Sequence, residues 1–344
     1  MREIKINSNE AGQRLDKFLS KYMSLAPKGF LYKMLRKKNI TLNGKKASGQ
    51  EKLLQSDIVR MFLSDDTIEK FSPQKETTPS ARAVPSDLDI LYEDRHTIFI
   101  NKPVGMLSQK ASKDDISLVE YLTEYLLDTH QITEAEMRTF HPAVCNRLDR
   151  NTSGIVAAGK TLPALQELSA MFRNRSLKKY YLCLAAGTVK EKGRLNGYLK
   201  KDSRTNRVVF SKEKMNGASE IRTEYRPLGI GDGVTLLEVH LITGKTHQIR
   251  AHMASQGHPI IGDYKYGDRR INDRYRSVYG LKSQLLHSVR LCIPACSGTL
   301  SELSGKTITA PPPEIFIRIC ADKNIKRSSM QWPHGIQEGF ADLP

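Results

Sequence analysis

At 344 residues with 39% apolar content, the chain is long enough for one large domain and a small one, each with its own core. Its 54 Lys and Arg against 37 Asp and Glu give a formal charge of +17, which points to a polyanionic partner, and fourteen of those basic residues lie with only five acidic ones between Met1 and Ser64. Five widely spaced cysteines speak against a disulfide framework, no apolar run approaches the roughly eighteen residues of a membrane span, and no basic-then-apolar leader opens the chain, so a reduced cytoplasmic protein without membrane association is expected.

Leu15, Phe18, Leu19 and Tyr22 have helical spacing, and so do Leu31, Met34 and Leu35, which run into Arg36-Lys37-Lys38. Ile40-Thr41-Leu42 followed by Asn43-Gly44 predicts a hairpin. Two small helices on a small sheet would then expose Lys33, Arg36, Lys37, Lys38, Lys45 and Lys46; a solvated charged face without a partner gives the same pattern. From Asp65 to Ser86 the composition turns polar, with Pro73, Pro79 and Pro85, and reads as a flexible linker that leaves the small domain's orientation unfixed.

The large domain opens with two strands, Leu88 to Tyr92 and Thr97 to Lys102, the second ended by Pro103, with Lys102 as a strand cap. A helix is expected around Leu118 to Leu127. Cys145 to Gly159 follows, and here Arg147, Asp149 and Arg150 precede small polar residues and an apolar strand. A loop of this kind delivers one carboxylate at the edge of a sheet. Held among arginines, Asp149 should stay ionised and suits nucleophilic or general-base work on a polyanion; a salt bridge that caps a turn fits the same residues.

Leu162, Leu165, Leu168 and Phe172 predict a helix, and Lys178 to Leu184 a strand in which Tyr180 and Tyr181 face opposite ways. The basic stretch Leu195 to Tyr225 reads as exposed strands or loops. A strand at Val234 to Leu241 leads through Thr243-Gly244 into a helix that presents Arg250 from its first turns. Another strand is expected at Leu285 to Leu291, and a last apolar element at Ile315 to Ile317. The tail from about Asp322, which holds Trp332, is expected to be poorly ordered. Zinc is disfavoured, because Cys292 and Cys296 lack a second ligand pair and His247 and His252 lack the Glu of a zincin.

Arg147-Leu148-Asp149, followed after Arg150 and Asn151 by Thr152-Ser153-Gly154, resembles the central motif of the RluA family of pseudouridine synthases. Further matches are Asn101 to Gly105, Lys179 with Tyr181, Thr243 to Arg250, Gly257 to Gly267 and Leu285 to Leu291; Asn146 replaces the family's usual His, and Lys245 its usual Arg. The N-terminal segment resembles the alpha-L RNA-binding domain of a ribosomal small-subunit protein through Arg14 to Leu19, Ile40 to Lys45 and Ser56 to Val59.

The resemblance implies an α+β pseudouridine synthase fold with a large, mostly antiparallel mixed sheet flanked by helices and loops, plus a small N-terminal α/β RNA-binding domain. The implied division is 1–64, a linker at 65–86, a catalytic domain at 87–321 and a tail at 322–344. It also implies isomerisation of uridine in RNA, with large-subunit ribosomal RNA expected by family analogy and transfer RNA as the alternative, by a monomer that needs no cofactor or metal. Asp149 would attack the sugar carbon or take its neighbouring proton, Arg250 would hold Asp149, and Tyr181 would stack on the flipped uracil. Arg147 would fill the vacated space, with Ile249 and Lys179 nearby. Arg14, Lys33, Arg36, Lys37, Lys38, Lys45 and Lys46 would hold RNA. A catalytically silent RNA-binding or ribosome-assembly protein is the other reading; a nucleoside glycosidase would want a second catalytic acid, and no paired carboxylates are visible.

Overall fold

Among the described residues of the computed structural model, the N-terminal module consists of β1 (Arg2–Lys5), α1 (Leu15–Tyr22), α2 (Lys28–Arg36), β2 (Ile40–Leu42), β3 (Lys45–Lys46), β4 (Ile58–Met61) and α3 (Asp65–Phe71). The structure describes residues 1–7, 9–72, 87–112, 114–134, 136–202 and 207–325. The strands pair antiparallel in the order β1-β4-β2-β3. Asn43 and Gly44 take positive φ, 51° and 74°, as a tight two-residue hairpin requires. The apolar faces of α1 and α2 meet over this sheet, as their spacing predicts.

The expected linker is corrected at its start. Residues Asp65–Phe71 are helical: Ser64 caps α3 through the Thr67 amide at 3.3 Å, and Asp65 and Asp66 lie at its positive end. Ile68 is buried in the module's core, and the Phe71 ring lies 4.7 Å from that of Phe30. The rest of the linker, 73–86, lies outside the described residues. The module also touches the large domain directly, since the Thr139 hydroxyl donates to Glu10 at 2.7 Å in a buried contact and the Arg138 guanidinium sits 5.9 Å from the Tyr22 ring. An unfixed orientation is therefore not what these contacts describe.

The large domain adds β5 (Ile90–Glu93), β6 (Thr97–Lys102), α4 (Leu118–Asp128), β7 (Ala143–Val144), β8 (Ser153–Gly159), α5 (Leu162–Arg173) and β9 (Lys178–Ala186). It continues with β10 (Gly193–Asp202), β11 (Arg207–Ser211), β12 (Ser219–Gly231), β13 (Val234–Leu241), α6 (Gln248–Ser255), α7 (Arg269–Tyr279), β14 (Leu286–Cys292), β15 (Thr307–Thr309) and α8 (Glu314–Asp322). Nine strands run in the order β11-β10-β12-β13-β9-β14-β8-β6-β5, with β7 joined to β8 and β15 to β14. Every pairing is antiparallel except β14 with β8. The basic stretch read as exposed strands or loops is mostly regular sheet, in β10, β11 and β12.

Alternation along β9 and β13 separates two cores. Tyr181, Cys183, Leu237 and Val239 face one side with α4 and α6, while Leu182, Leu184 and Leu236 face the other with α7 and α8. Order extends past the expected start of the tail, because α8 runs to Asp322 and Ile325 is buried against this second core. Residues 326–344, with Trp332, lie outside the described residues.

Candidate active site

Asp149 sits in the short connection between β7 and β8, where the backbone is held on both sides of it. Upstream, the Cys145 amide donates to the Ala157 carbonyl at 2.7 Å. Asn146 carries this pairing one residue further, since its amide donates to the Ile155 carbonyl at 3.1 Å and accepts from the Ala157 N–H at 2.8 Å. The residue that departs from the family pattern thus fastens the loop to β8. The Ser108 hydroxyl accepts from the Leu148 amide and donates to the Leu148 carbonyl, both at 3.0 Å.

Downstream, the fully buried Lys102 donates its Nζ to the carbonyls of Pro103, Met106 and Arg150 at 2.9, 2.8 and 3.2 Å. It is more than a strand cap. Burial pulls its pKa down to about 8, against the opposing charge of Asp149. The Gly105 amide also donates to the Arg150 carbonyl, and the Thr152 amide to that of Asp149, at 2.9 and 3.0 Å.

Arg250, third residue of α6, donates from Nη1 to Asp149 Oδ2 at 2.8 Å across 101 residues of sequence. The guanidinium's other edge makes a bidentate pair with Asp263, at 2.8 Å from Nε and 2.9 Å from Nη2. Their side chains are 9% and 1% exposed, while Asp149 keeps 27% and is open to solvent. Burial disfavours the charged guanidinium, but Asp263 and then Asp149 more than offset it and raise its pKa. For Asp263, burial likewise opposes the charge, and Arg250 together with the Lys265 and Tyr266 amides lowers its pKa overall. Two carboxylates thus share one guanidinium, and only Asp149 is accessible.

Gln248 locks the turn before α6: its carbonyl oxygen accepts from Thr243 Oγ1 and the Lys245 amide, and its Nε2 donates to the Arg222 carbonyl and Thr223 Oγ1. His247, at the helix N-cap, has a left-handed backbone with φ 53°. Its Nδ1 meets the Tyr266 hydroxyl at 2.9 Å and its Nε2 lies 3.7 Å from Asp149 Oδ2. Burial lowers its pKa and favours the neutral ring.

Tyr181 is 6% exposed and shares an apolar cluster with Leu148 and Ile249. Burial pushes its phenol up to about 12, with Asp149 adding to the shift and the Ser288 contact opposing it, so the hydroxyl keeps its proton. Lys179 lies on the same face of β9, and burial lowers its pKa; its Nζ would come within 3.7 Å of a Cβ placed on Gly244, so it borders the turn before α6. Arg147 is exposed beside Asp149 and makes no ion pair among the described residues.

Tyr180 faces the other way, as alternation predicts. It stacks on His240 with ring centres 4.9 Å apart, and Arg290 lies 4.1 Å from its ring centre. This reverse face has a depression of about 570 Å³, lined among others by Tyr180, Arg194, Glu224, Glu238 and His240. Both of its acids are already engaged, Glu224 with Arg194 and His240 and Glu238 with Arg226 and Arg290. Among the described residues of these two faces, the carboxylate with an oxygen left unpartnered, that of Asp149, is on the Tyr181 side.

In the N-terminal module, Lys33, Arg36, Lys37, Lys38, Lys45 and Lys46 are exposed and form no ion pair among the described residues. Arg14 differs, because it pairs with Asp16 at 3.1 and 2.8 Å and Asp16 also accepts from Tyr32. The structure therefore brings Asp149, Arg250, Tyr181 and Ile249 together. It adds Asp263, Tyr266, Lys102 and the approach of His247, for which the sequence offers the Gly257 to Gly267 match, the Lys102 strand end and, for His247, a place in the Thr243 to Arg250 match where orienting the loop is favoured over proton transfer.

Residues 96–255 match the family model described as RNA pseudouridylate synthase. The chain is 34% identical over 293 residues to the ribosomal large subunit pseudouridine synthase C of Vibrio vulnificus (strain CMCP6), covering 84% of this chain and 87% of that one. With the protein of that name from Escherichia coli (strain K12) the identity is 30% over 298 residues, with 84% and 87% covered. In fold it is similar to human RNA pseudouridylate synthase domain containing 4, with a TM-score of 0.56 at 20% identity over 72% of this chain and 97% of that one.

Proposed function

The chain belongs to the RNA pseudouridylate synthase family, and from that premise we propose that it isomerises uridine to pseudouridine in large-subunit ribosomal RNA, with Asp149 as the reacting carboxylate. The observation that carries this reading is the Asp149–Arg250–Asp263 chain, in which one accessible acid is held by a guanidinium that a second, buried acid fixes in place. The names of the relatives support large-subunit ribosomal RNA as the substrate.

A uridine must leave its stack to reach Asp149, at a cost of a few kcal/mol that is smallest where the base is already unpaired. Arg147, exposed beside the loop, fills the gap. Tyr181 lies under the flipped base, where stacking on an aromatic ring contributes roughly 1 to 3 kcal/mol. Asp149 then attacks the sugar carbon or removes its neighbour's proton, and the bond from that carbon to N1 breaks. The freed base turns and bonds through its 5-carbon, which displaces the carboxylate from the sugar carbon in the first route and is accompanied by return of the sugar proton in the second; N1 gains a proton and the 5-proton is lost. Ile249 and Lys179 border this space. Nothing in this isomerisation requires a cofactor, and on this reading the enzyme works as a monomer in the cytoplasm.

The exposed Lys and Arg of the N-terminal module act as its RNA-holding face: phosphate contacts of this kind give affinity without sequence choice. The division implied is a basic module up to about residue 72 and a catalytic domain from about residue 87.

The test is Asp149→Asn, assayed by release of tritium from 5-labelled uridine in a large-subunit ribosomal RNA transcript. Product should fall below detection while the RNA still binds in a gel-shift assay. Turnover close to that of the unaltered enzyme would defeat the assignment, and no turnover by the unaltered enzyme would favour a catalytically silent RNA-binding protein.

A further inference from the structure

Resting on that reading, we propose that His247 is a positioning residue: its Nε2–H and Arg250 together hold Oδ2 of Asp149, which leaves Oδ1 as the oxygen that meets the ribose. Both groups converge on one atom, Arg250 Nη1 at 2.8 Å and His247 Nε2 at 3.7 Å from Oδ2. Among the described residues, Oδ1 has no hydrogen-bond partner.

We assign the ring's proton from the hydrogen-bond chain behind it. The Tyr266 hydroxyl accepts from the Val208 amide at 2.8 Å and has its own proton to give to His247 Nδ1, 2.9 Å away. A neutral imidazole that accepts at Nδ1 carries its proton on Nε2, facing Asp149. Tyr266 also meets the imidazole edge-on, with centres 5.5 Å apart and planes at 65°, and so fixes its tilt. Arg250, Lys265 and Asp263 are the other charges close enough to act on the ring.

A separation of 3.7 Å is too long for a hydrogen bond. Contacts of this kind often tighten only once substrate is present, and a closure of roughly 0.7 Å suffices here. The left-handed backbone at His247 supports a specific role, since such strain in a residue other than glycine costs about 1 kcal/mol or more and collects at functional sites. It aims the ring back across the start of α6 towards the catalytic loop.

The same backbone supplies a discriminating test. Asn tolerates left-handed φ best among residues with side chains, but its amide nitrogen reaches only to about where Nδ1 lies. Gln is worse for the backbone and reaches to the position of Nε2. His247→Asn, His247→Gln, Tyr266→Phe and Asp149→Asn are to be compared with the unaltered enzyme for kcat, KM and melting temperature on one 5-tritiated ribosomal RNA transcript.

His247→Gln is expected to keep kcat within about tenfold of the unaltered enzyme, while His247→Asn loses about a hundredfold with KM unchanged and melts no lower than the Gln variant. Tyr266→Phe should lower kcat by about tenfold, because the tautomer is no longer set. Equal activity of the two His247 variants, a more active Asn variant, or losses that follow melting temperature would overturn the inference alone. An inactive unaltered enzyme would overturn the functional reading beneath it.

Discussion

Lys102 and Asp263 show how much of the candidate site is held by groups that never meet a substrate. Lys102 is sealed from solvent and ties three backbone carbonyls, one of them next to Asp149. Replacing it with an apolar chain leaves buried acceptors without a donor, so Lys102→Met is expected to cost about 3 kcal/mol of stability, read from the urea midpoint. Asp149 and Arg250 keep their pairing in that variant, so product should still form at low temperature. Asp149 and Arg250 were legible in the sequence because each sits in a dense motif. Asp263 and Tyr266 lay inside a matching stretch, but nothing local revealed that one would grip Arg250 and the other His247; those contacts exist only once α6 and the loop after it fold together.

At the scale of elements, hydrophobic spacing located most of the strands and helices that carry the site, and β13 matches its expected bounds residue for residue. The helix α7 escaped because its buried side is Asn272 and Tyr275 rather than an aliphatic stripe. Its contribution is polar: Asn272 accepts from the Gly262 amide at 2.7 Å and donates to the Asp263 carbonyl at 2.9 Å, so the unforeseen helix supports the unforeseen acid. The short α3 was hidden in the same way, with only Ile68 and Phe71 among charged residues just before a proline-rich stretch. One glycine is demanding. At Gly154 φ is 108°, and a Cβ there would lie 2.2 Å from the Ser288 carbonyl oxygen and 2.6 Å from its nitrogen. Both are backbone atoms of the paired strand, which cannot move aside without opening β8 from β14. Gly154→Ala is therefore expected to destabilise by at least about 3 kcal/mol and to lower activity with it, as a shifted urea midpoint would report.

Across the whole molecule, the sheet sorts chemistry by side. The Tyr181 side carries an acid with an unpartnered oxygen, and on the reverse side Glu224 and Glu238 each have two basic partners. The order of strands has a consequence in time. β14 lies between β8 and β9, although it is made about a hundred residues after them. While the chain is being synthesised, Asp149, Tyr181, Arg250 and Asp263 all emerge before the strand that brings their supports into one sheet. Pairing over such sequence separation is slow and comes late in folding. A chain cut after Gly280 keeps every one of those four side chains. It should nonetheless make no pseudouridine and unfold without a cooperative transition by circular dichroism, whereas one ending at Ile325 should make pseudouridine and unfold cooperatively, so the catalyst comes into being only once β14 has been made.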